Sequence, residues 1–251
     1  MKEETEGLII KEKTIKENDR LVTVLTKDRG VIRCFVNGAK KLSNKKFTAT
    51  QPLSYSRLMI YTKNDANIVD SADNIITFFK LRNSMERFAL SQYFCQVIEN
   101  AVLDEAESEL QLKLMLNCLH MLCESNKPDL LIKSVFELRL MQTLGIMPEV
   151  LYCSGCGCYE SDIMYFDPVY TKLYCSECVS MSDNLVELSK SALMAVRYIL
   201  TAEPNKIFSF NINGQPLAQL ADCSEQFIIN HYNTKHFNTL DFYKMMRNEN
   251  I

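Results

Sequence analysis

The sequence predicts an α+β protein in which an N-terminal OB-fold β-barrel is followed by an α-helical domain that carries a zinc ribbon. Short β-branched runs occupy residues 1–75, a helical period follows, and two Cys-x2-Cys pairs interrupt the helical part. Of the 251 residues, 47% are apolar and 24% are charged, which is enough apolar material for a packed core. Along the chain we expect the barrel at 1–75, helical parts at 76–148 and 183–251, and the ribbon at 149–182.

The barrel prediction comes from five short strands with turn residues between them. Strands are predicted at residues 7–16, 20–27, 31–37, 53–61 and 67–70. Asn18-Asp19 and Asp28-Arg29-Gly30 have the composition of hairpin turns. Five antiparallel strands in this length fit an OB-type barrel, although an SH3-like barrel has the same pattern.

The helical part is predicted from apolar residues that recur at the 3.6-residue period. Helices are expected at residues 78–102, 109–123, 129–144, 189–200, 217–230 and 238–246. Pro128 and Asp129 mark a helix start, Gly145 marks its end, and Ser189 is a candidate N-cap. The helix at 129–144 is apolar nearly all round, so we expect it at the centre of a bundle.

Positive charge is concentrated in the barrel. Residues 11–63 carry thirteen basic and four acidic side chains, although the net charge of the chain is −3. Because local charge attracts phosphate, this module predicts a polyanion partner; the alternative is that surface lysines only keep a small domain soluble. The candidate phosphate contacts are Arg20, Lys27, Arg29, Arg33, Lys40, Lys41, Lys45, Lys46 and Arg57.

Aromatic residues among these cations are candidates for base stacking, the usual companion of a basic OB groove. Phe47 follows the polar, lysine-rich loop and is the preferred candidate. Phe35 shares a strand with Arg33 and is expected in the core instead, and Tyr55 is a third possibility.

Four cysteines have the spacing of a zinc ribbon. Cys153 and Cys156 form one pair, Cys175 and Cys178 form the other, and eighteen residues separate the pairs. Each pair forms a tight turn that directs two thiolates at one point, so two pairs complete a tetrahedron around one structural Zn²⁺. Four thiolates leave no open position for catalysis, and we expect Cys158 to be a spare thiol.

Motifs of common enzymes are absent from the sequence. There is no Walker A loop, no G-x-G-x-x-G and no G-x-S-x-G, and the histidines His120, His231 and His236 form no metalloprotease pattern. A redox enzyme that uses the Cys-x-x-Cys thiols is an alternative that zinc binding would exclude. No apolar run has the length of a membrane span and no secretory signal is visible, so we expect a soluble, intracellular protein without a membrane partner.

In their order and in their sequence motifs, these segments resemble the bacterial RecO family of DNA repair proteins. The resemblance lies in residues 7–10, 17–26, 30, 37–40, 51–53, 136–141 and 144–148, followed by Cys153-x-x-Cys156-Gly157. One departure is the stretch Asp167-Pro-Val-Tyr-Thr-Lys-Leu-Tyr174, where the family usually has Gly-Gly before the second cysteine pair.

The resemblance implies a recombination mediator that acts without enzymatic catalysis in the cytoplasm, at the bacterial nucleoid. Such proteins bind single- and double-stranded DNA, anneal complementary strands and, with RecR, help RecA replace the single-stranded-DNA-binding protein (SSB). They also bind the SSB C-terminal tail, which is acidic and ends in apolar residues, and the chain alone is expected to be a monomer. The candidate cations for this tail are Lys113, Lys133 and Arg139.

A competing hypothesis is a zinc-ribbon protein of transcription or translation, in which the ribbon itself contacts nucleic acid. The charges around the cysteines disfavour it, because acidic residues outnumber Lys172 there. The acidic residues are Glu149, Glu160, Asp162, Asp167 and Glu177.

Overall fold

The structure is a computed structural model and describes residues 2–15, 17–40, 44–104, 106–180, 184–232 and 237–247. The chain forms two compact units, one from residues 1–123 with 236–251 and one from residues 124–235. Each unit combines helices with a β-sheet, which confirms the predicted α+β class. The four-segment division of the chain stays a prediction, because these units group elements by proximity rather than by chain order.

The first unit begins with a closed five-stranded barrel. Its strands are β1 (Lys2–Thr14), β2 (Arg20–Thr26), β3 (Val31–Val36), β4 (Ser54–Lys63) and β5 (Ala66–Thr77). Their order around the barrel is β1-β2-β3-β5-β4, antiparallel except for the β3–β5 pair, and a short helix α1 (Lys46–Ala49) lies between β3 and β4. This is the OB arrangement, so the OB prediction is confirmed over the SH3-like alternative.

Two barrel strands are longer than predicted. β1 starts at Lys2 rather than residue 7, and its first three residues are exposed and charged, so they lack the apolar alternation that marks a strand. β5 continues to Thr77 and is mostly exposed over its second half. The interior is filled by small and branched side chains from all five strands, among them Ile9, Val24 and Leu58.

Gly30 has a backbone conformation and a packing environment that require glycine. Its φ angle is 61°, in the left-handed region that other residues rarely adopt. A Cβ atom at this position would lie 1.9 Å from the Leu103 carbonyl oxygen. The turn between β2 and β3 is therefore in backbone contact with the segment that follows the first long helix.

The helices of the first unit are α2 (Met85–Ala101), α3 (Glu109–Glu124) and α7 (Asn238–Met246). A 3-10 turn (Phe79–Asn83) precedes α2, so the single helix predicted from residue 78 is broken at Ser84. The Ser84 hydroxyl accepts a hydrogen bond from the Arg87 backbone N–H, and this N-cap starts α2.

The second unit contains α4 (Asp129–Thr143), α5 (Lys190–Thr201) and α6 (Gly214–Tyr232), with a sheet of β6 (Ile163–Asp167), β7 (Lys172–Cys175) and β8 (Val186–Ser189). Every α4 residue from Leu131 to Leu138 is buried, which confirms the prediction of a central helix. The sheet order is β7-β6-β8. Among the described residues, no helix has both the length and the apolarity needed to cross a membrane.

Candidate nucleic-acid interface and metal centre

A shallow groove crosses the outer face of the barrel at β2, β3 and β5. It has a volume of about 500 Å³, and Phe35 and Arg33 of β3 line it together with Arg29 and Asn67. The Phe35 side chain is 41% exposed, and the Arg33 side chain is 71% exposed. An exposed aromatic ring beside guanidinium groups is the combination that single-stranded nucleic acid binds by stacking and phosphate contact.

The prediction that Phe35 belongs to the core is wrong. Along β3 the buried residues Cys34 and Val36 alternate with the exposed residues Arg33 and Phe35. Neighbouring side chains of a strand point to opposite faces, so an error of one residue exchanges core and surface. Arg33 indicates the exposed face of β3, because residues two positions apart in a strand share a face and a charged residue is rarely buried.

The prediction that Arg20 is a surface cation is also wrong, because its side chain lies inside the first unit rather than on the outer surface of the barrel. The residue is only 5% exposed. Its Nη1 donates to the Phe47 carbonyl oxygen at 3.1 Å, and its Nε lies 3.3 Å from a carboxylate oxygen of Glu12. The guanidinium carbon lies 5.2 Å from the Phe47 ring centroid, so Arg20 occupies a ring face of the preferred stacking candidate.

Four of the other eight predicted phosphate contacts are paired with carboxylates on the same unit. The nitrogen–oxygen distances are 3.6 Å for Lys27–Glu109, 3.7 Å for Arg29–Glu3, 3.9 Å for Arg33–Glu99 and 3.2 Å for Arg57–Glu6. Glu6 also accepts a hydrogen bond from the Tyr55 hydroxyl, and this bond and Arg57 lower the pKa of Glu6. The hydrogen bond from its hydroxyl to Glu6 therefore holds the Tyr55 side chain on the barrel surface.

Three lysines of the loop between β3 and β4 have no such partner. In the part of the chain that the structure describes, Lys40, Lys45 and Lys46 form no ion pair. Lys45 is exposed, and Lys40 and Lys46 are half-buried. Lys41, predicted in the same cluster, lies outside the described residues. Unpaired ammonium groups interact with phosphate without first losing a carboxylate, so this loop is the most available cationic surface among the predicted contacts.

The four predicted metal ligands converge in the second unit. The sulfur atoms of Cys153, Cys156, Cys175 and Cys178 all lie within 4.8 Å of one another. Cys156 Sγ and Cys175 Sγ are 3.7 Å apart. A tetrahedral Zn–S₄ site with bonds of about 2.3 Å has sulfur–sulfur edges of about 3.8 Å, so the cluster has the size for a metal ion. Four cysteines with no carboxylate ligand favour a soft, tetrahedral ion.

Backbone amides prepare one of these sulfurs for metal binding. The N–H groups of Gly155 and Cys175 donate to Cys153 Sγ at 3.4 and 3.3 Å. Burial opposes ionisation of this thiol, but hydrogen bonding to the Cys156, Cys175 and Gly155 amides outweighs it and lowers the pKa of Cys153 to about 6. A Cβ atom on Gly155 would lie 2.7 Å from the Cys178 Cβ atom, so only glycine lets the two cysteine turns approach this closely.

The hairpin between the two cysteine pairs forms without the glycines that the family usually has there. Asp167 Oδ1 accepts hydrogen bonds from the N–H groups of Val169 and Tyr170, and Thr171 adopts a φ angle of 57°. An aspartate that bonds the following amides stabilises a turn in the same way. Strands β6 and β7 form the hairpin, and β8 pairs with β6 as a third strand that was not predicted from the sequence.

The three candidate cations for a partner tail have different surroundings. Lys133 is 1% exposed and lies between Glu137 and Glu225, so its prediction as a surface cation is wrong. Arg139 donates from Nη2 to the Ala202 carbonyl oxygen at 2.8 Å and so stabilises the end of α5. Lys113 is exposed and pairs with Glu109 at 2.9 Å, and its role in tail binding stays a prediction.

Comparison with known proteins covers nearly the whole chain. The family described as Recombination protein O N terminal matches residues 1–78, and Recombination protein O C terminal matches residues 82–241. A protein named DNA repair protein RecO from Acetivibrio thermocellus is 31% identical over 96% of both chains. Proteins of the same name from Symbiobacterium thermophilum and Alkaliphilus metalliredigens are 24% and 22% identical, over 89% and 96% of this chain and 90% and 98% of theirs.

Proposed function

Because the chain belongs to the RecO family of DNA repair proteins, we propose that it is a recombination mediator that binds and anneals DNA. In this proposal it binds single- and double-stranded DNA, and together with RecR it helps RecA replace SSB. It acts by binding rather than by catalysis, as a monomer in the cytoplasm and at the nucleoid. The observation that carries the proposal is the barrel surface, where unpaired lysines and an exposed aromatic ring lie on one OB domain.

The two kinds of group have different tasks. Lys40, Lys45 and Lys46 contact phosphates, which carry no sequence information, and so bind DNA of any sequence. Phe35 stacks on a base and selects strands whose bases are unpaired, since a base inside a duplex is already stacked. Arg33 lies beside Phe35 in the groove and contacts the phosphate next to the stacked base.

Annealing follows from these contacts without any acid, base or nucleophile. Two DNA strands repel each other through their phosphates, and a cationic surface lowers that repulsion when it holds both. It also raises the local concentration of the second strand. The rate of pairing therefore increases because of binding alone.

We further propose that the four-cysteine cluster holds one structural zinc ion. The spacing of the ligands, the size of the cluster and the amide hydrogen bonds to Cys153 support this assignment. Zinc would link the two Cys-x2-Cys turns, which are short segments that cannot form a hydrophobic core by themselves. The SSB tail is the proposed protein partner besides RecR, and Lys113 and Arg139 stay the candidate cations for it.

The lysine loop provides the direct test of DNA binding. In a Lys40→Ala, Lys45→Ala, Lys46→Ala variant we expect the affinity for single-stranded DNA at low salt to fall about 10- to 100-fold. The slope of log affinity against log salt should fall by about two, because each phosphate contact on a single strand contributes about 0.7. A salt-titrated fluorescence anisotropy measurement with a labelled oligonucleotide gives both quantities.

The matched control removes the same charge from the second unit. A Lys172→Ala, Lys190→Ala, Lys206→Ala variant loses three exposed lysines, of which Lys190 and Lys206 are paired with glutamates. We expect its affinity and salt slope to stay close to those of the unmodified protein. Equal losses in both variants would mean that net charge, and not this loop, determines binding.

Phe35→Ala tests the stacking contact separately from charge. We expect the affinity for single-stranded DNA to fall about 5- to 160-fold, the range for one stacked base, with an unchanged salt slope. Duplex affinity should change much less. Phe79→Ala is the control, because Phe79 is 48% exposed in the same unit and does not line the groove. Unchanged single-strand binding in Phe35→Ala would remove Phe35 from the site.

A further inference from the structure

Glu99 lies on the last turn of α2 and faces two cations of the barrel. Its carboxylate oxygens are 2.9 and 3.1 Å from Lys11 Nζ, and one of them is 3.9 Å from Arg33 Nη2. Lys11 belongs to β1 and Arg33 to β3, so one carboxylate joins cations of two strands. The Lys11 and Arg33 side chains are largely exposed, whereas the Glu99 side chain is mostly covered.

This position is unfavourable for a carboxylate as far as the helix is concerned. Glu99 lies two residues before the end of α2, where the helix dipole presents its negative pole and where cations are the favoured residues. The two ion pairs with the barrel compensate for this. The contacts of Glu99 therefore point to an effect on the barrel surface rather than on the stability of its own helix.

Glu99 also lines the groove that holds Phe35. It contributes to the hollow formed by Arg29, Arg33 and Phe35, and to a neighbouring hollow formed by Lys11, Gln96 and Asn100. A DNA strand that stacks on Phe35 and reaches Arg33 therefore approaches the Glu99 carboxylate. That carboxylate repels phosphate, and its ion pairs compete with phosphate for Lys11 Nζ and Arg33 Nη2.

We propose that Glu99 is an internal counter-ion of the DNA-binding face, and that it limits the affinity of the groove by competing with phosphate for Lys11 and Arg33. The proposal rests on the proposed DNA-binding function. A DNA strand has to displace Glu99 from both cations or bind against its charge. Weaker binding, from which DNA dissociates readily, suits a surface that must release the annealed product.

Glu99→Gln, which keeps the shape of the side chain, tests this in the full-length, zinc-loaded protein. We expect single-strand affinity to rise about three- to tenfold at about 50 mM salt, and the gain to shrink at higher salt as screening increases. In a Lys11→Ala, Arg33→Ala background the gain should be much smaller, because only the direct repulsion between the carboxylate and phosphate remains to be removed. Thermal unfolding of each variant establishes that the fold is intact.

Glu203→Gln is the matched control, since it removes the same charge from an exposed pair with Lys206 in the second unit. An equal gain in affinity in this control overturns the counter-ion proposal. So does the absence of a gain in Glu99→Gln while the unmodified protein binds DNA through the lysine loop. Both outcomes leave the proposed DNA-binding function intact. No DNA binding by the unmodified protein overturns both. A gain confined to Glu99→Gln and dependent on Lys11 and Arg33 supports the inference.

Discussion

Replacing Cys175 by serine is expected to abolish stoichiometric metal binding and to unfold the ribbon between residues 149 and 180. Cys175 is buried and is the last residue of β7, so its sulfur joins the four-cysteine cluster directly to the hairpin. Binding of zinc to such sites contributes about 10–16 kcal/mol in isolated zinc-finger peptides, which makes the metal a large part of the folding free energy of a small ribbon. Loss of one ligand removes much of this zinc-binding free energy.

The measurement is zinc content per chain together with limited proteolysis. We expect one zinc per chain in the unmodified protein, almost none in Cys175→Ser, and new cleavage sites within the ribbon. A strong chelator should produce the same cleavage pattern in the unmodified protein, because removing the metal and removing a ligand have the same consequence.

Cys158→Ser is the matched control, because it makes the same substitution in the same ribbon. Cys158 is the fifth thiol and is not among the four sulfurs of the cluster. Its variant should retain zinc and resist protease. Loss of zinc from Cys158→Ser together with full zinc in Cys175→Ser would mean that Cys158, and not Cys175, is the ligand.

The four-cysteine cluster was predictable because its geometry is local. Two residues between cysteines determine each turn, and the amides that bond to Cys153 Sγ belong to the cysteine turns themselves. The strand β8 was not predictable in the same way. Val186–Ser189 is four residues long, and its partner β6 lies about twenty residues earlier, so no local pattern distinguishes it from a loop.

The barrel was predictable in kind but not in its faces. The strands followed from β-branched runs and turn residues, and their OB order is the one that closes five such strands. The side of β3 that faces solvent depends on a shift of one residue, and Arg33 is the one charged residue of the strand that indicates the exposed side. Phe35, expected in the core, is therefore exposed.

Charge counting located a basic module but did not show which of its charges are available. Arg20 counts as a surface cation in the sequence, yet it is buried, donates a hydrogen bond to the Phe47 carbonyl oxygen and forms an ion pair with Glu12. Arg33 is neutralised in part by Glu99, which comes from a helix far along the chain. The partner of a charge depends on tertiary structure, so the sequence gives the number of cations and the fold gives the number that are unpaired.

Lys133→Ala is expected to lower the free energy of unfolding by about 3–5 kcal/mol, the cost of leaving a buried charge without its partner. Lys133 Nζ lies 3.0 Å from Glu137 and 2.9 Å from Glu225, and Ser224 donates to Glu137 at 2.6 Å. Burial alone would lower the pKa of Lys133, but the two carboxylates outweigh it and raise the pKa. Urea denaturation of the metal-loaded protein measures the loss.

Lys113→Ala is the matched control, since Lys113 and Glu109 form a lysine–glutamate pair with the same i,i+4 spacing on an exposed helix. Exposed pairs of this kind contribute less than about 1 kcal/mol, so the two variants should differ several-fold. Equal effects would mean that the α4–α6 network is solvated and carries no buried charge.

The pH dependence identifies which charge is responsible. In Lys133→Ala the carboxyl group of Glu137 is buried without its cation, so its pKa in the folded state lies above the pKa in the unfolded state. A group of this kind favours the folded state below its unfolded pKa and loses that contribution as the pH rises. The difference in free energy of unfolding between the unmodified protein and Lys133→Ala should therefore become smaller towards acidic pH. A deficit that does not change with pH would assign the loss to packing of the lysine side chain instead of to the unpaired carboxylate.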